Sequence, residues 1–171
     1  MSDDQAKQRA ARAALELLPE SGVIGLGTGS TTRFFIEGVA ELVRAGRKFT
    51  GVPTSQQSRA LATQLGIPLL DDAGPWHIDL CVDGADEVSE SLDLIKGGGA
   101  AHTREKIVNF AANKNAIIVD ESKLSERLGE KRAIPVEVLV FGHLTTLRAL
   151  EHFGRPVLRL RDGARPAVSR A

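Results

Sequence analysis

Hydrophobic and polar positions along the first 120 residues follow two alternating periods. Ala and Leu at helical spacing predict amphipathic helices, and short apolar runs between them predict buried strands. The helices are predicted at residues 4–18, 31–43, 55–65 and 100–112. The strands are predicted at residues 23–26, 49–52, 80–82 and 116–119. Since helix and strand alternate, the predicted fold class is α/β, a Rossmann-like parallel sheet with helices on both faces.

The pattern changes near residues 129–133, where a second unit is expected to begin. We therefore predict a Rossmann-like catalytic domain over residues 1–132 and a partial small α+β domain over residues 133–171. The elements predicted in the second unit are a strand at 135–141, a helix at 143–153 and a strand at 156–160. The last ten residues, 162–171, are rich in Arg, Ala and Pro without apolar period, which predicts a disordered tail.

Composition narrows the class of protein. The chain has 22 basic and 22 acidic residues, so its formal net charge is zero, whereas a nucleic-acid-binding domain usually has a basic excess. The single cysteine, Cys81, cannot form an internal disulfide and fits a reducing cytoplasm. The polar N-terminus does not resemble a signal peptide, and no apolar run is long enough to span a membrane. We expect a cytoplasmic protein that binds neither nucleic acid nor membrane. A net charge of zero does not exclude a small anionic ligand, because one phosphate needs only a local site.

The most informative motifs follow predicted strands, where parallel α/β sheets bind ligands. The sequence GLGTGSTT (25–32) joins a strand to a helix. Its glycines allow a close backbone approach, and the first amides of the helix are available to an anion. Hydroxyl donors from Thr28, Ser30 and Thr31 would add to such a site. The alternative is a tight connection with a Ser or Thr cap at the helix N-terminus.

Of three further motifs, two follow predicted strands and one precedes a predicted helix. DGADE (83–87) follows a buried strand and could accept hydrogen bonds from sugar hydroxyls, or could be an exposed Asp-Gly turn. KGGG (96–99) precedes a helix containing Glu105, and could be a nest of amides or a flexible loop. Lys123 follows a further predicted strand. Considered alone, it is better explained as a solvated lysine than as a contact to a ligand. The four histidines show no metal-site spacing, and no nucleophile elbow occurs.

Taken together, these motifs resemble the ribose-5-phosphate isomerase A family. The sequences GTGST (27–31), DGADE (83–87), KGGG (96–99) with TREK (103–106), and DESK (120–123) occur in this order and at these intervals. The resemblance extends over residues 4–160. It implies interconversion of ribose 5-phosphate and ribulose 5-phosphate in the non-oxidative pentose phosphate pathway, without metal or cofactor. A homodimer or higher homo-oligomer is also expected.

The resemblance implies that Glu105 is the catalytic base. Isomerisation through an enediolate needs one base to move a proton between two carbons, and preorganised donors for the negative oxygen. Lys96 and the glycine amides could supply those donors, and either Asp83 or Asp86 could assist ring opening. Lys7 matches a further phosphate contact of the family, but the residues around it carry little of the family's motif. The expected substrate-binding residues are Thr28, Gly29, Ser30, Thr31, Asp83, Gly84, Ala85, Asp86, Lys96, Gly97, Gly98, Gly99 and Lys123.

The chain departs from the family pattern at two places. His102 occupies a position where the family usually has an apolar residue, and the family usually continues well beyond residue 160. The expectation is a chain that lacks half of the small domain and has lower stability. Alternative hypotheses are a catalytically impaired fragment, a non-catalytic sugar-phosphate-binding domain of the kind fused to repressors, an amino-sugar-phosphate deaminase and a coenzyme A transferase.

Overall fold

A computed structural model describes residues 3–161 and 165–166 of the chain. The helices are α1 (Asp3–Leu15), α2 (Ser30–Arg44), α3 (Gln56–Gln64), α4 (His102–Phe110) and α5 (His143–Leu150). The strands are β1 (Ser21–Leu26), β2 (Lys48–Pro53), β3 (Leu80–Asp83), β4 (Glu87–Ser89), β5 (Leu94–Ile95), β6 (Asn115–Ile117), β7 (Leu124–Ser125), β8 (Leu160–Arg161) and β9 (Arg165–Pro166). A 3₁₀ turn covers Glu121–Lys123.

The main sheet contains four strands in the order β2-β1-β3-β6, and all of its pairings are parallel. Leu26 at the end of β1 pairs with Pro53 of β2 and with Val82 of β3. Asp83, the last residue of β3, pairs with Ile117 at the end of β6. Because neighbouring strands end at the same level, the loops that follow them meet at one edge. The predicted parallel sheet is confirmed.

Alternate residues of the strands pack on opposite faces of the sheet, as the two-residue period of a strand requires. Leu80 and Val82 of β3 join a core with Phe35 of α2 and with side chains of α1 and α3. Cys81, between them, belongs to a second core that includes Val108 of α4. Helices therefore cover both faces. Since apolar strands buried on both faces need such cover, the pattern of the sequence was sufficient to predict it.

A second sheet of three short strands, in the order β5-β4-β7, was not predicted. Strand β4 pairs antiparallel with β5 and parallel with β7. These strands have two or three residues each, which is too short for a period to be visible in the sequence. The sheet places the KGGG motif, which follows β5, beside the DGADE motif, which leads into β4.

Residues 133–160 include no buried side chain. The predicted helix is confirmed as α5, which ends three residues earlier than expected. The strand predicted at 135–141 is wrong, because no described strand lies beside this segment to pair with it. The strand predicted at 156–160 is confined to Leu160 at its end, where β8 pairs with β9. The tail prediction is wrong at residues 165–166, which form β9, and its other residues lie outside the described ones.

Among the helices within the described residues, none has the length and apolar character required to cross a lipid bilayer.

Candidate active site

The loops after β1, β3 and β6 surround a pocket of about 210 Å³ at the carboxyl edge of the main sheet. The structure thus brings four separate motifs together, as the rule for parallel sheets predicts. The predicted residues that line it are Thr28, Gly29, Ser30, Thr31, Gly84, Ala85, Asp86, Lys96, Gly97, Gly99, Glu105 and Lys123. Thr32, Ile118 and Val119 also line it and were not predicted. Two predicted residues, Asp83 and Gly98, are outside this lining.

One end of the pocket is the N-terminus of α2. Gly29 is the N-cap residue, and no side chain of the described residues makes a capping hydrogen bond there. The backbone N–H groups in the first turn of a helix lack intrahelical partners and, with the helix dipole, favour an anion. The hydroxyl groups of Ser30 and Thr31 lie in the same turn and line the pocket. These features are typical of a site for a phosphate-sized anion.

We call the loop between β1 and α2, residues 27–29, the anion loop. Hydrogen bonds with neighbouring parts of the chain hold it in place. Thr28 N donates to Asp83 Oδ1 at 3.0 Å, and the Thr28 hydroxyl lies 2.7 Å from that of Thr54. Ser58 Oγ donates to the carbonyl of Gly27 at 2.6 Å. A Cβ on Gly27 would overlap with the carbonyl oxygen of Val82, so only glycine allows this approach of β1 to β3. The conformation of this loop is therefore fixed by the protein itself, before any ligand binds.

The other end of the pocket holds Glu105 and Lys96. Glu105 lies in the first turn of α4, is only 4% exposed, and has a carboxylate oxygen, Oε2, without a hydrogen-bond partner among the described residues. Lys96 Nζ is 3.5 Å from that oxygen, a distance that gives charge attraction without a well-formed hydrogen bond. Lys96 also donates to Asp83 Oδ2 at 2.9 Å and to the Gly84 carbonyl at 2.5 Å.

The electrostatics of this pair suit proton transfer. Burial raises the pKa of Glu105 to about 7, with further increases from Asp83 and Asp86 and an opposing effect of Lys96. Burial lowers the pKa of Lys96, but the neighbouring charges of Asp83 and Glu105 outweigh it, so that the net shift is upward. A carboxyl group with a pKa near neutrality exchanges protons readily at physiological pH. The pocket thus combines a carboxyl group whose pKa is near neutrality with a neighbouring lysine that stays positively charged.

The two aspartates of the DGADE motif occupy different environments. Asp83 is fully buried at the end of β3, beneath the pocket. Asp86 is partly exposed and lines the pocket, and its Oδ2 accepts a hydrogen bond from Gly98 N at 2.7 Å. A side chain on Gly98 would overlap with Asp86. Gly98 therefore supports the site from behind, with its amide already used by Asp86.

The third carboxylate of the motif, Glu87, serves a different purpose. It is fully buried and accepts hydrogen bonds from Ser125 Oγ, Gly129 N and Lys131 N at 2.7–2.8 Å. Burial alone would raise its pKa, but these donors lower it overall. Through them, Glu87 fixes the segment after Lys123. Glu87 directly follows Asp86 in the chain, and no separate role was predicted for it from the sequence.

Lys123 ends the 3₁₀ turn that follows β6 and lines the pocket. Asp120 caps that turn by accepting from Ser122 N at 2.9 Å. Burial opposes ionisation of Asp120, but the Ser122 donors and nearby Lys123 and Lys7 give a net decrease of its pKa. Lys7, on α1, pairs with Asp3 at 2.5 Å and does not line the pocket. The local turn explains how Lys123 reaches the pocket edge.

Within residues 3–161 and 165–166 there is no group of three or more His, Cys, Asp or Glu side chains arranged to hold a metal ion. His102, the departure noted in the sequence, packs against Gly97 with a buried Nδ1 that has no partner in the described part of the chain.

Fold and site together define a class of protein: a Rossmann-like α/β domain with an uncapped helix N-terminus at one end of a pocket and a buried carboxylate–lysine pair at the other. Comparisons with known proteins agree with this class. Residues 50–171 match the family model of ribose 5-phosphate isomerase A, also described as phosphoriboisomerase A. The ribose-5-phosphate isomerase A of Thermosynechococcus vestitus is 48% identical over 166 residues, covering 94% of this chain and 70% of that protein.

Solved structures give the same result. The ribose 5-phosphate isomerase A of Methanocaldococcus jannaschii is 43% identical, with a TM-score of 0.91 over 98% of this chain and 75% of that one. A D-ribose-5-phosphate isomerase in complex with phospho-erythronic acid has the same TM-score and coverage at 39% identity. The chain therefore belongs to the ribose 5-phosphate isomerase A family. It spans about two thirds of the length of the curated relatives that it matches, with coverages of 66%, 70% and 66%.

Proposed function

We propose that this chain interconverts D-ribose 5-phosphate and D-ribulose 5-phosphate, an aldose–ketose isomerisation in the non-oxidative pentose phosphate pathway. One observation carries the proposal. Glu105, with an unpartnered carboxylate oxygen and a pKa of about 7, lies in the same pocket as the uncapped N-terminus of α2. A base and an anion site in one small pocket suit a short phosphorylated substrate whose reacting carbons lie far from its phosphate.

The phosphate is proposed to bind at the N-terminus of α2, with the Ser30 and Thr31 hydroxyls. A structural relative was solved with phospho-erythronic acid, a ligand that also joins a phosphate to a short polar chain. Binding energy from a remote phosphate can fix the reacting carbons against the base. The positive charge of Lys123, on the same lining, complements the anion.

The proton transfer is proposed to run through Glu105. Its carboxylate takes the proton from C2 of the open-chain aldose, forming an enediolate, and returns it to C1, while a hydroxyl proton passes from O2 to O1. As Glu105 becomes neutral, negative charge appears on the enediolate oxygen. Lys96, 3.5 Å from Glu105 Oε2, then faces a neutral acid and is available to the enediolate. Its charge thus stabilises the intermediate when it is most needed.

Ring opening is proposed to use Asp86, because its carboxyl group lines the pocket. Asp83 is fully buried below the lining and already accepts from Thr28 N, Gly84 N and Lys96 Nζ. Asp83 is therefore assigned to holding Lys96 and the anion loop in place. Lys96, Gly97 and Gly99 are proposed to contact the substrate, and Gly98 to act through Asp86.

A homo-oligomer in the cytoplasm is proposed as the working state. Large apolar side chains are exposed on the segment after residue 133, including Leu139 at 81%, Phe141 at 94% and Val157 at 79%. Exposed apolar surface of this kind favours association with another protein surface. The single cysteine is compatible with a reducing compartment. Light scattering over a range of protein concentrations tests the oligomer, which predicts a mass above 18.3 kDa.

The function is tested by incubating the chain with ribose 5-phosphate in the presence of a chelator and following ribulose 5-phosphate. We expect isomerisation without added metal. Binding of ribose 5-phosphate without turnover would instead identify a sugar-phosphate-binding domain or a catalytically impaired fragment. Activity that disappears with chelator and returns with a divalent ion would contradict the metal-free mechanism.

A further inference from the structure

Asn109 lies one helical turn after Glu105 on α4, and it is absent from the lining of the pocket. Its Nδ2 donates to Asp83 Oδ2 at 3.2 Å and to the backbone carbonyl of Glu105 at 2.7 Å. Both partners are acceptors, so the orientation of the amide group is fixed by its surroundings. This side chain connects the helix that presents the base to the carboxylate beneath the pocket.

Asp83 is the centre of this arrangement. Its Oδ1 accepts from Thr28 N at 3.0 Å and from Gly84 N at 2.8 Å. Its Oδ2 accepts from Lys96 Nζ at 2.9 Å and from Asn109 Nδ2. A carboxylate has about four acceptor positions, and here all four are used. Asp83 therefore joins the anion loop, Lys96 and α4 into one rigid unit, and Asn109 is the only one of these four donors that comes from α4.

We infer that Asn109 is a positioning residue that holds α4 against Asp83 and thereby sets the placement of Glu105 relative to Lys96. This inference rests on the proposed function. The distance from Glu105 to Lys96 is 3.5 Å, so a small rotation of α4 would change it by a large fraction. A misplacement of about 1 Å in a catalytic group can reduce the rate about 10²-fold.

The chain offers a matched control in Asn115, on β6. Its Nδ2 donates to the backbone carbonyl of Asn109 at 3.0 Å, so it touches the same turn of α4 without reaching Asp83. Asn115 is exposed, and it does not line the pocket. Removing its amide group tests whether any weakening of this turn is sufficient, or whether the contact with Asp83 is required.

The first test compares Asn109→Ala with Asn115→Ala in steady-state kinetics and thermal melting. We expect Asn109→Ala to lower kcat about tenfold or more, with KM for ribose 5-phosphate within about twofold, because Asn109 is remote from the phosphate. Asn115→Ala should retain wild-type kcat. Equal losses in the two variants, or an unchanged kcat in Asn109→Ala, would overturn the inference.

The second test does not depend on turnover. The charged groups facing Glu105 are Lys96, Asp83 and Asp86. In Asn109→Ala, α4 loses its donor to Asp83 without gaining a charge, and a Glu105 that moves away from Lys96 loses the positive charge that lowers its pKa. We expect the NMR titration of the Glu105 carboxyl carbon to move to higher pH in Asn109→Ala and to stay in place in Asn115→Ala. An unmoved titration in Asn109→Ala would contradict the inference.

The two failures can be distinguished. A wild-type chain that binds but does not isomerise ribose 5-phosphate contradicts the proposed function, while the NMR comparison still decides whether Asn109 acts on Glu105. An active wild type with an unaffected Asn109→Ala variant leaves the proposed function intact and removes the inference about Asn109.

Discussion

Residues 3–132 and residues 133–161 are built in different ways. The first region packs two apolar cores against a parallel sheet, with fully buried side chains such as Phe35, Ile24 and Val82. The second has no buried side chain between residues 133 and 160, and α5 has none at all. The complete lining of the pocket lies in the first region. The pocket is therefore formed entirely by the region of the chain that contains the packed cores.

The two regions nevertheless touch at the edge of the site. Glu137 accepts from Thr103 N at 3.2 Å and from the Thr103 hydroxyl at 2.6 Å. Arg159 donates to the carbonyl of Gly98 at 2.8 Å. Each contact lies next to a site residue, because Thr103 precedes Glu105 by two positions and Gly98 supports Asp86.

The largest expected difference is in stability. Phe35 is fully buried in the main core, whereas Phe141 is 94% exposed. Phe35→Ala should lower the free energy of unfolding by about 3–5 kcal/mol, the usual result of removing a buried aromatic ring. At protein concentrations at which the chain is monomeric, Phe141→Ala should change it by no more than about 0.5 kcal/mol. Chemical denaturation measures both, and similar losses would show that the second region is as well packed as the first.

The next effect concerns the charge in the pocket. Lys96→Met should lower kcat about 10²–10³-fold, the range found when a donor to a developing oxyanion is lost. Because Lys96 lowers the pKa of Glu105, its removal should raise that pKa above about 7. Glu105 acts as a carboxylate, so activity rises with pH through its pKa, and the acid limb of kcat/KM should move to higher pH in the variant. An acid limb that does not move would show that Lys96 has no effect on the pKa of the catalytic base.

A smaller effect is expected at the anion end. Ser30→Ala combined with Thr31→Ala should weaken the binding of ribose 5-phosphate by about tenfold, or about 1.4 kcal/mol in total, because the backbone amides of α2 remain to bind the phosphate. Unphosphorylated ribose should be affected much less. The control is Thr145→Ala with Thr146→Ala in α5, which is exposed. Calorimetric titration gives both affinities, and equal losses for the two sugars would place the phosphate elsewhere.

The smallest effect should come from the contact between the two regions. Glu137→Gln keeps an acceptor for Thr103, so kcat should change by no more than about threefold, corresponding to less than ~1 kcal/mol of barrier. Steady-state kinetics measure it. A loss of tenfold or more would show that the second region takes part in placing α4, and the division drawn between the two regions would fail.

The site residues that the sequence predicted best are those in loops that directly follow strands of the main sheet. The strand ending at Leu26 and the one ending at Asp83 are marked by short apolar runs, and glycines or acidic residues follow them at once. Parallel pairing then brings their loops together, whichever side chains the loops contain. The KGGG motif could be placed only through its resemblance, because the short strands β4 and β5 that bring it to Asp86 leave no periodic pattern.

What the sequence could not separate were the roles of carboxylates within one motif. Asp83, Asp86 and Glu87 lie within five residues, yet the first is buried beneath the pocket, the second lines it and the third fixes a neighbouring segment. These roles depend on which donors meet each side chain across the chain, such as Lys96 and Gly98. The strand expected at 135–141 failed for a related reason, since a strand needs a partner that its own sequence does not specify.

The most direct test of the account is the turnover and binding of Glu105→Gln beside Glu126→Gln, an exposed glutamate outside the pocket. The amide keeps the shape of the side chain but cannot accept the proton. We predict that Glu105→Gln lowers kcat about 10²–10⁴-fold while its affinity for ribose 5-phosphate stays within a few-fold, and that Glu126→Gln behaves as wild type. A Glu105→Gln variant that keeps more than about a tenth of kcat would correspond to less than ~1.4 kcal/mol of barrier, and Glu105 would not be the base.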